Sequence, residues 1–296
     1  MQHSIVPDMI PAVNRRPRKL WAFLQFPLCR MLIAFAAIAL LAFPLLAGAH
    51  FAHLHGLAFA ASHLLAGLVA CGVYIAYVHL LERRAPVELT LRQLLPQFGK
   101  GFAVGAAILG ATVLVLWLSG AYHVSGVNTA DMLLAFFINA LGAALLEEIA
   151  VRGVVFRILE EGLGTWLALG ISALFFGLLH AMNPGANWRG ILGIALEAGV
   201  LLAAVYVYAR SLWIGIGLHC AWNFFDGGVF GASAKNLSLL SVNIHGPEWL
   251  TGGRDGLDAS LVAIMICLSA AVVFLLLAWR RGLWLAPFWK RPRPSG

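Results

Sequence analysis

Residues 131–157 read DMLLAFFINALGAALLEEIAVRGVVFR. The run is long and apolar enough to cross a lipid bilayer, which takes about 20 residues. Yet two adjacent carboxylates, Glu147 and Glu148, and an arginine, Arg152, sit well inside its ends. A charge at mid-bilayer costs about 2.5–3.5 kcal/mol on insertion scales. These three residues therefore need partners or a task.

The same composition extends in both directions. Of the 296 residues, 61% are hydrophobic and only 11% charged, with a mean hydropathy of +0.87. A soluble domain is about 45–50% apolar and about 25% charged. Apolar runs fall near 28–48, 57–81, 101–119, 131–157, 165–182, 190–209, 212–226 and 258–279. The pattern predicts an all-α polytopic membrane protein of about eight transmembrane helices. It predicts a single transmembrane domain over 28–282, with tails at 1–27 and 283–296. The first apolar run follows the basic segment NRRPRK and is long enough to span, so it does not read as a cleavable signal peptide. No internal repeat is evident, which removes the usual support for a two-halved transporter.

The net charge of +7 marks orientation in a membrane rather than a nucleic-acid partner. All but three of the 20 Lys and Arg fall in alternate inter-span segments: Arg15, Arg16, Arg18, Lys19 and Arg30; Arg83, Arg84, Arg92 and Lys100; Arg152, Arg157 and Arg210; and Arg280, Arg281, Lys290, Arg291 and Arg293. Arg189, Lys235 and Arg254 remain for the other side. This asymmetry predicts a multi-pass membrane protein with both termini in the cytoplasm and an even number of spans. The four cysteines lie in or beside apolar runs without paired spacing, as small buried hydrophobes do. The segment 85–100, APVELTLRQLLPQFGK, reads either as a short interfacial helix or as an ordinary loop. The longest polar loop, 227–257, is expected to carry little regular structure. The run HFAHLH, with His50, His53 and His55, reads as solvated loop.

Helical spacing says what the polar residues inside the spans can do. Glu148 and Arg152 are four apart and share a face, so they can pair. Glu147 points about 100° away and is left facing elsewhere. Glu160 and Glu161 read as the end of the span. Two later spans carry matching polarity: LFFGLLHAMNP holds His180, with Phe176 a turn earlier, and SLWIGIGLHCAWNFFDG holds His219 and Asn223, one turn apart. Counted from the basic ends at 1.5 Å per residue, Glu147 lies about 15 Å deep, His219 about 13 Å, Asn223 about 19 Å and His180 about 22 Å. An acid, two imidazoles and an amide can thus meet near the bilayer centre, and such groups activate water and bind oxyanions. Glu147, His180 and His219 also contain the donor types of an open zinc site, although no span has the H-E-x-x-H pattern. Asn139 is a candidate to line the same cavity. Glu197 is an intramembrane acid with no assigned role, open between capping a cavity, contacting substrate and pairing with a buried donor.

In order, Glu147-Glu148-x-x-x-Arg152, Phe176-x-x-x-His180 and His219-x-x-x-Asn223 resemble the three-part signature of the CPBP family, also called the Abi or CAAX-protease family. Its eukaryotic relatives are type II CAAX prenyl endopeptidases. The likeness covers a core at about 130–228; SLWIGIGLHCAWNFFDG and LFFGLLHAMNP resemble the bacterial branch, which implies a bacterial inner membrane. It implies an intramembrane endopeptidase of eight helices with a polar cavity opening toward the cytoplasm. It implies that Glu147 and His180 activate water, that His219 and Asn223 stabilise the oxyanion, and that Glu148 and Arg152 support them. The substrate it implies is a membrane-associated peptide or protein, lipidated or not, and the partners are lipids and that substrate. The cofactor is open between a divalent metal such as zinc and a metal-free glutamate mechanism, with the latter slightly preferred. The rival reading is a non-catalytic immunity or scaffold protein of the same fold.

Overall fold

A computed structural model describes residues 19–183, 185–232 and 237–291. Arg15, Arg16, Arg18, Lys235 and Arg293, and most of the 1–27 tail, lie outside the described residues. The chain is built of helices: α1 (Lys19–Leu24), α2 (Pro27–Phe51), α3 (Gly56–Tyr77), α4 (Leu94–Leu118), α5 (Leu133–Glu148), α6 (Arg157–Leu179), α7 (Trp188–Ile194), α8 (Val200–Ala209), α9 (Leu212–Asn223), α10 (Glu248–Thr251) and α11 (Leu261–Arg280). Short π-helical runs at Ile149–Phe156, Ala195–Gly199 and Phe224–Val229 join α5 to α6 and α7 to α8, and extend α9. Two strands, β1 (Tyr122–Val127) and β2 (Leu240–Ile244), pair antiparallel with a bulge between Val124 and Gly126.

Six helical stretches among the described residues are long and apolar enough to cross a membrane. One of them, Leu133–Met182, runs for 50 residues. A straight helix would hold Glu147 and His180 about 50 Å apart. Their side chains stand 3.8 Å apart, so the run is a hairpin. It turns at Gly164, whose φ of 78° is the left-handed backbone that glycine tolerates. A Cβ there would also lie 2.7 Å from the Pro287 nitrogen and 2.8 Å from the Leu285 carbonyl oxygen. The α9 run is not among the six stretches because His219, Asn223 and Asp226 interrupt its apolar character. It is nonetheless packed deep in the bundle. Its backbone touches that of α4: a Cβ at Gly101 would meet the Ile214 carbonyl oxygen at 2.0 Å, and one at Gly217 the Phe98 oxygen at 2.2 Å. Small residues allow this approach.

Ion pairs gather the loops at one end of the bundle. Arg30 pairs with Glu82 and, at 2.6 Å, with Glu161. Arg157 pairs with Glu82 at 2.6 Å and Glu161 at 2.7 Å. Arg84 holds Glu82 at 2.8 Å and Glu88 at 2.7 Å. Arg210 pairs with Glu160 and donates to the Leu283 carbonyl. The hairpin turn, the start of α2 and the ends of α3, α8 and α11 therefore share one face, the basic face. The β1–β2 sheet, the 185–189 segment and α10 lie at the other.

Two local expectations change. Residues 85–100 form neither an interfacial helix nor a plain loop. Short 3-10 turns at Val87–Leu89 and Leu91–Gln93 lead into α4, which begins at Leu94. Buried Glu88 and Leu89, and a hydrogen bond from Trp213 Nε1 to the Thr90 carbonyl (3.2 Å), pin this segment to the bundle. The long polar loop is mostly irregular as expected, but it also supplies the short β2 and α10.

Candidate active site

α5 presents its two carboxylates to different surroundings. The Glu148 side chain is 1% exposed and that of Arg152 is 0% exposed; they pair at 2.8 Å. Arg152 also donates to the Ala198 and Gly199 carbonyls, at 3.2 Å each, where the π run Ala195–Gly199 meets α8. Its guanidinium lies 4.3 Å over the Phe176 ring, a favourable cation–π arrangement. This buried knot ties α5, α6 and α8 together.

Glu147 faces the other way and is 29% exposed. Its Oε2 stands 3.8 Å from Nε2 of His180 and 3.8 Å from Nε2 of His219. That oxygen is buried and has no hydrogen-bond partner among the described residues. Both imidazoles are held by their other nitrogen. His180 Nδ1 lies 2.9 Å from the Phe176 carbonyl oxygen. A carbonyl only accepts, so Nδ1 carries the proton and the neutral ring offers its Nε2 lone pair toward Glu147. His219 Nδ1 lies 3.1 Å from Glu148 Oε1, and the same logic makes it a donor to that carboxylate. The Phe176 ring packs against both imidazoles, its centroid 5.0 Å from His180 and 5.9 Å from His219.

A cavity of about 40 Å³ adjoins this cluster, room for a few waters. His180, Glu197, His219, Trp222, Asn223 and Asp258 help to line it. Asn223 thus joins His180 and His219 as expected. Asn139 does not line the cavity; its Oδ1 is buried without a hydrogen-bond partner among the described residues. Glu197 is a cavity residue, and Cys267 Sγ lies 3.5 Å from its Oε1. Asp258 is an addition from outside the three motifs. It sits in the turn before α11 and accepts from Trp222 Nε1 at 3.0 Å. Its only trace in the sequence is an acid at the head of an apolar run.

Tetrahedral zinc, with bonds of about 2.0–2.2 Å, keeps its donors about 3.3 Å apart. The Glu147–imidazole separations are wider. Among the described residues no three His, Cys, Asp or Glu converge in a metal-holding group. These side chains do not form a zinc cage.

Fold and site together define a polytopic membrane protein with a carboxylate–imidazole centre sunk between its helices, equipment suited to activating water. A family model described as Type II CAAX prenyl endopeptidase Rce1-like matches residues 128–225, the segment that holds Glu147, His180, His219 and Asn223. The matched segment is about a third of the chain; it is similar to the CAAX protease family, and the likeness supports a CAAX-type intramembrane endopeptidase in general. Comparison with curated proteins and with solved structures finds no match.

Proposed function

We propose that the protein hydrolyses a peptide bond of a membrane-associated substrate, with Glu147 as general base. One observation carries this reading: Glu147 Oε2 is equidistant from two imidazole nitrogens on separate helices, each ring held in place through its Nδ1. A water between Glu147 and His180 hydrogen-bonds to both. Glu147 takes one proton as the water oxygen attacks the carbonyl carbon. The carbonyl π electrons move to the oxygen, and His219 and Asn223 donate to that oxyanion. Because His219 Nδ1 already donates to Glu148, its donation at Nε2 requires the imidazolium form. Glu147 then passes its proton to the departing amine as the C–N bond breaks, leaving a carboxylic acid and an amine. Glu148 and Arg152 hold His219 and are positioning residues.

The test is Glu147→Gln in purified protein. We expect cleavage to vanish while expression and folding stay near normal, since Glu147 Oε2 has no hydrogen-bond partner among the described residues. Wild-type turnover by that variant would remove Glu147 from the mechanism. Comparing new protein termini in membranes from cells with wild-type or Glu147→Gln protein identifies the substrate and the cleaved bond.

A further inference from the structure

The last turn of α9 carries His219 and ends at Asn223, and wider π turns begin at Phe224. A helix sets the direction of its side chains through its ladder of hydrogen bonds, and that ladder changes spacing here. α4 backs the turn on one side: a Cβ at Gly105 would lie 2.5 Å from the Leu218 carbonyl oxygen and 2.9 Å from the Ala221 Cβ. The other side, with His219, Trp222 and Asn223, faces the cavity. A side that borders open space has no packed neighbour there to hold it. Side-chain hydrogen bonds do so instead. Glu148 takes the His219 Nδ1 proton, and Asp258 Oδ1 accepts from Trp222 Nε1 at 3.0 Å.

Asp258 is itself fixed. It lies in the 3-10 turn Leu257–Ala259. A Cβ at Gly193 of α7 would stand 2.5 Å from the Asp258 carbonyl oxygen and 3.0 Å from the Ala259 Cα, so only glycine allows this turn its seat. A few residues earlier, Asp255 accepts from Asn187 Nδ2, and Arg254 donates to the Gly185 carbonyl at 3.2 Å. Residues 185–187 lie just after His180 in the chain. The segment 254–259 therefore braces two places at once: the chain leaving His180 and the turn bearing His219 and Asn223.

We infer that Asp258 is a positioning residue: its hydrogen bond to Trp222 sets the rotation of the last turn of α9, and so the aim of His219 and Asn223 into the cavity. Its effect on rate rests on the proposed hydrolysis, but the hydrogen bond is testable without turnover. An indole N–H only donates, and an amide oxygen accepts as a carboxylate does. Asn should therefore stand in for Asp258 where Leu, of similar size, should not. His219 and Asn223 act on an oxyanion that exists only after attack, so the loss falls on kcat rather than KM.

The experiment compares Asp258→Asn, Asp258→Leu, Trp222→Phe and the double variant Trp222→Phe/Asp258→Leu, as full-length protein in detergent carrying isotope-labelled tryptophan. The resonance that Trp222→Phe removes is the Trp222 indole. We expect its proton to exchange with solvent about ten-fold faster in Asp258→Leu and near the wild-type rate in Asp258→Asn. Turnover is read on a quenched-fluorescent peptide spanning the bond that the comparison of termini identifies. Asp258→Leu and Trp222→Phe should each lower kcat by about 10–100-fold with KM near wild type, and the double variant should lose no more than either single change. Losses that multiply in the double variant, full activity in Asp258→Leu, or an Asp258→Asn as impaired as Asp258→Leu would each overturn the inference. If Asp258→Leu does not fold, the other two single variants decide: turnover kept in Asp258→Asn and lost in Trp222→Phe supports it, and the opposite pattern overturns it. A freed indole in Asp258→Leu while Glu147→Gln still cleaves sinks the proposed mechanism and leaves the brace standing. An indole unchanged in Asp258→Leu while Glu147→Gln is inactive sinks the brace and leaves the mechanism.

Discussion

Removing Arg152 tests the buried knot most sharply. In Arg152→Met the chain keeps a side chain of similar length but loses the charge. Glu148, 1% exposed, is left with His219 as its remaining partner, and the Ala198 and Gly199 carbonyls lose their donor. Breaking one half of a buried pair costs about 3–5 kcal/mol. At about 2 °C per kcal/mol for a large domain, this lowers the apparent melting temperature by about 6–10 °C. Adding Glu148→Gln removes the stranded carboxylate, and a buried pair replaced as a whole is often near neutral. The double variant should therefore recover most of the loss. Its activity should stay low, because His219 Nδ1 then faces an amide instead of a carboxylate. The assay is a melting series in detergent, read by a thiol dye that reports exposure of buried Cys220 and Cys267, with turnover measured alongside. An Arg152→Met melting point within 2 °C of wild type, or a double variant less stable than the single, would refute the reasoning.

Further outcomes follow from the same geometry. Asn223→Ala should lower kcat by about 10²–10³-fold with little change in melting point, if it supplies one oxyanion donor; single-turnover kinetics separate this from a binding defect. Turnover of the purified enzyme should survive dialysis against a strong chelator, given the wide donor spacing at Glu147; loss of activity restored by zinc alone would reverse that. Gly164→Ala should destabilise the fold by more than the about 1–2 kcal/mol that a left-handed backbone costs a residue with a Cβ, because the added atom also strikes the 285–287 backbone; a melting curve checks it. Burial alone would raise the Glu88 carboxyl, but hydrogen bonds and charge from Arg84 hold it below the ordinary carboxylate range. Its contribution to stability is therefore complete above the ordinary carboxylate pKa and is lost as pH falls through the lower folded value. Glu88→Gln should flatten that acid limb of a melting-point–pH profile.

Most of the helices were legible as long apolar runs, with α4 starting earlier, at Leu94, than its apolar run; α9, which His219, Asn223 and Asp226 interrupt, is not among the six stretches long and apolar enough to cross. The sheet was not legible. β1 and β2 are short, part polar, and more than a hundred residues apart, so no local pattern announces their pairing. The 85–100 segment departs from both expectations because Leu89 is buried and Trp213 donates to the Thr90 carbonyl, while Leu91 and Leu95 stay exposed on the 3-10 turns and the first turn of α4. Within each helix the i, i+4 spacing disclosed the Glu148–Arg152 pair and the shared face of His219 and Asn223. That Glu147 meets both histidines depends on the turn at Gly164 and on the close packing of α9, which spacing alone does not encode. Asp258 escaped notice because its place in the cavity comes from docking under Trp222.

The turn at Gly164 is stitched to a much later part of the polypeptide. Thr165 N donates to the Leu285 carbonyl at 3.0 Å, and Leu285 N donates back to Thr165 Oγ1 at 2.9 Å. During synthesis, the helices bearing Glu147 and His180 emerge from the ribosome roughly a hundred residues before their fastening does. A nascent chain halted after α9 has every reactive side chain but lacks its bolt, so the catalytic hairpin matures only once Leu285 has been made.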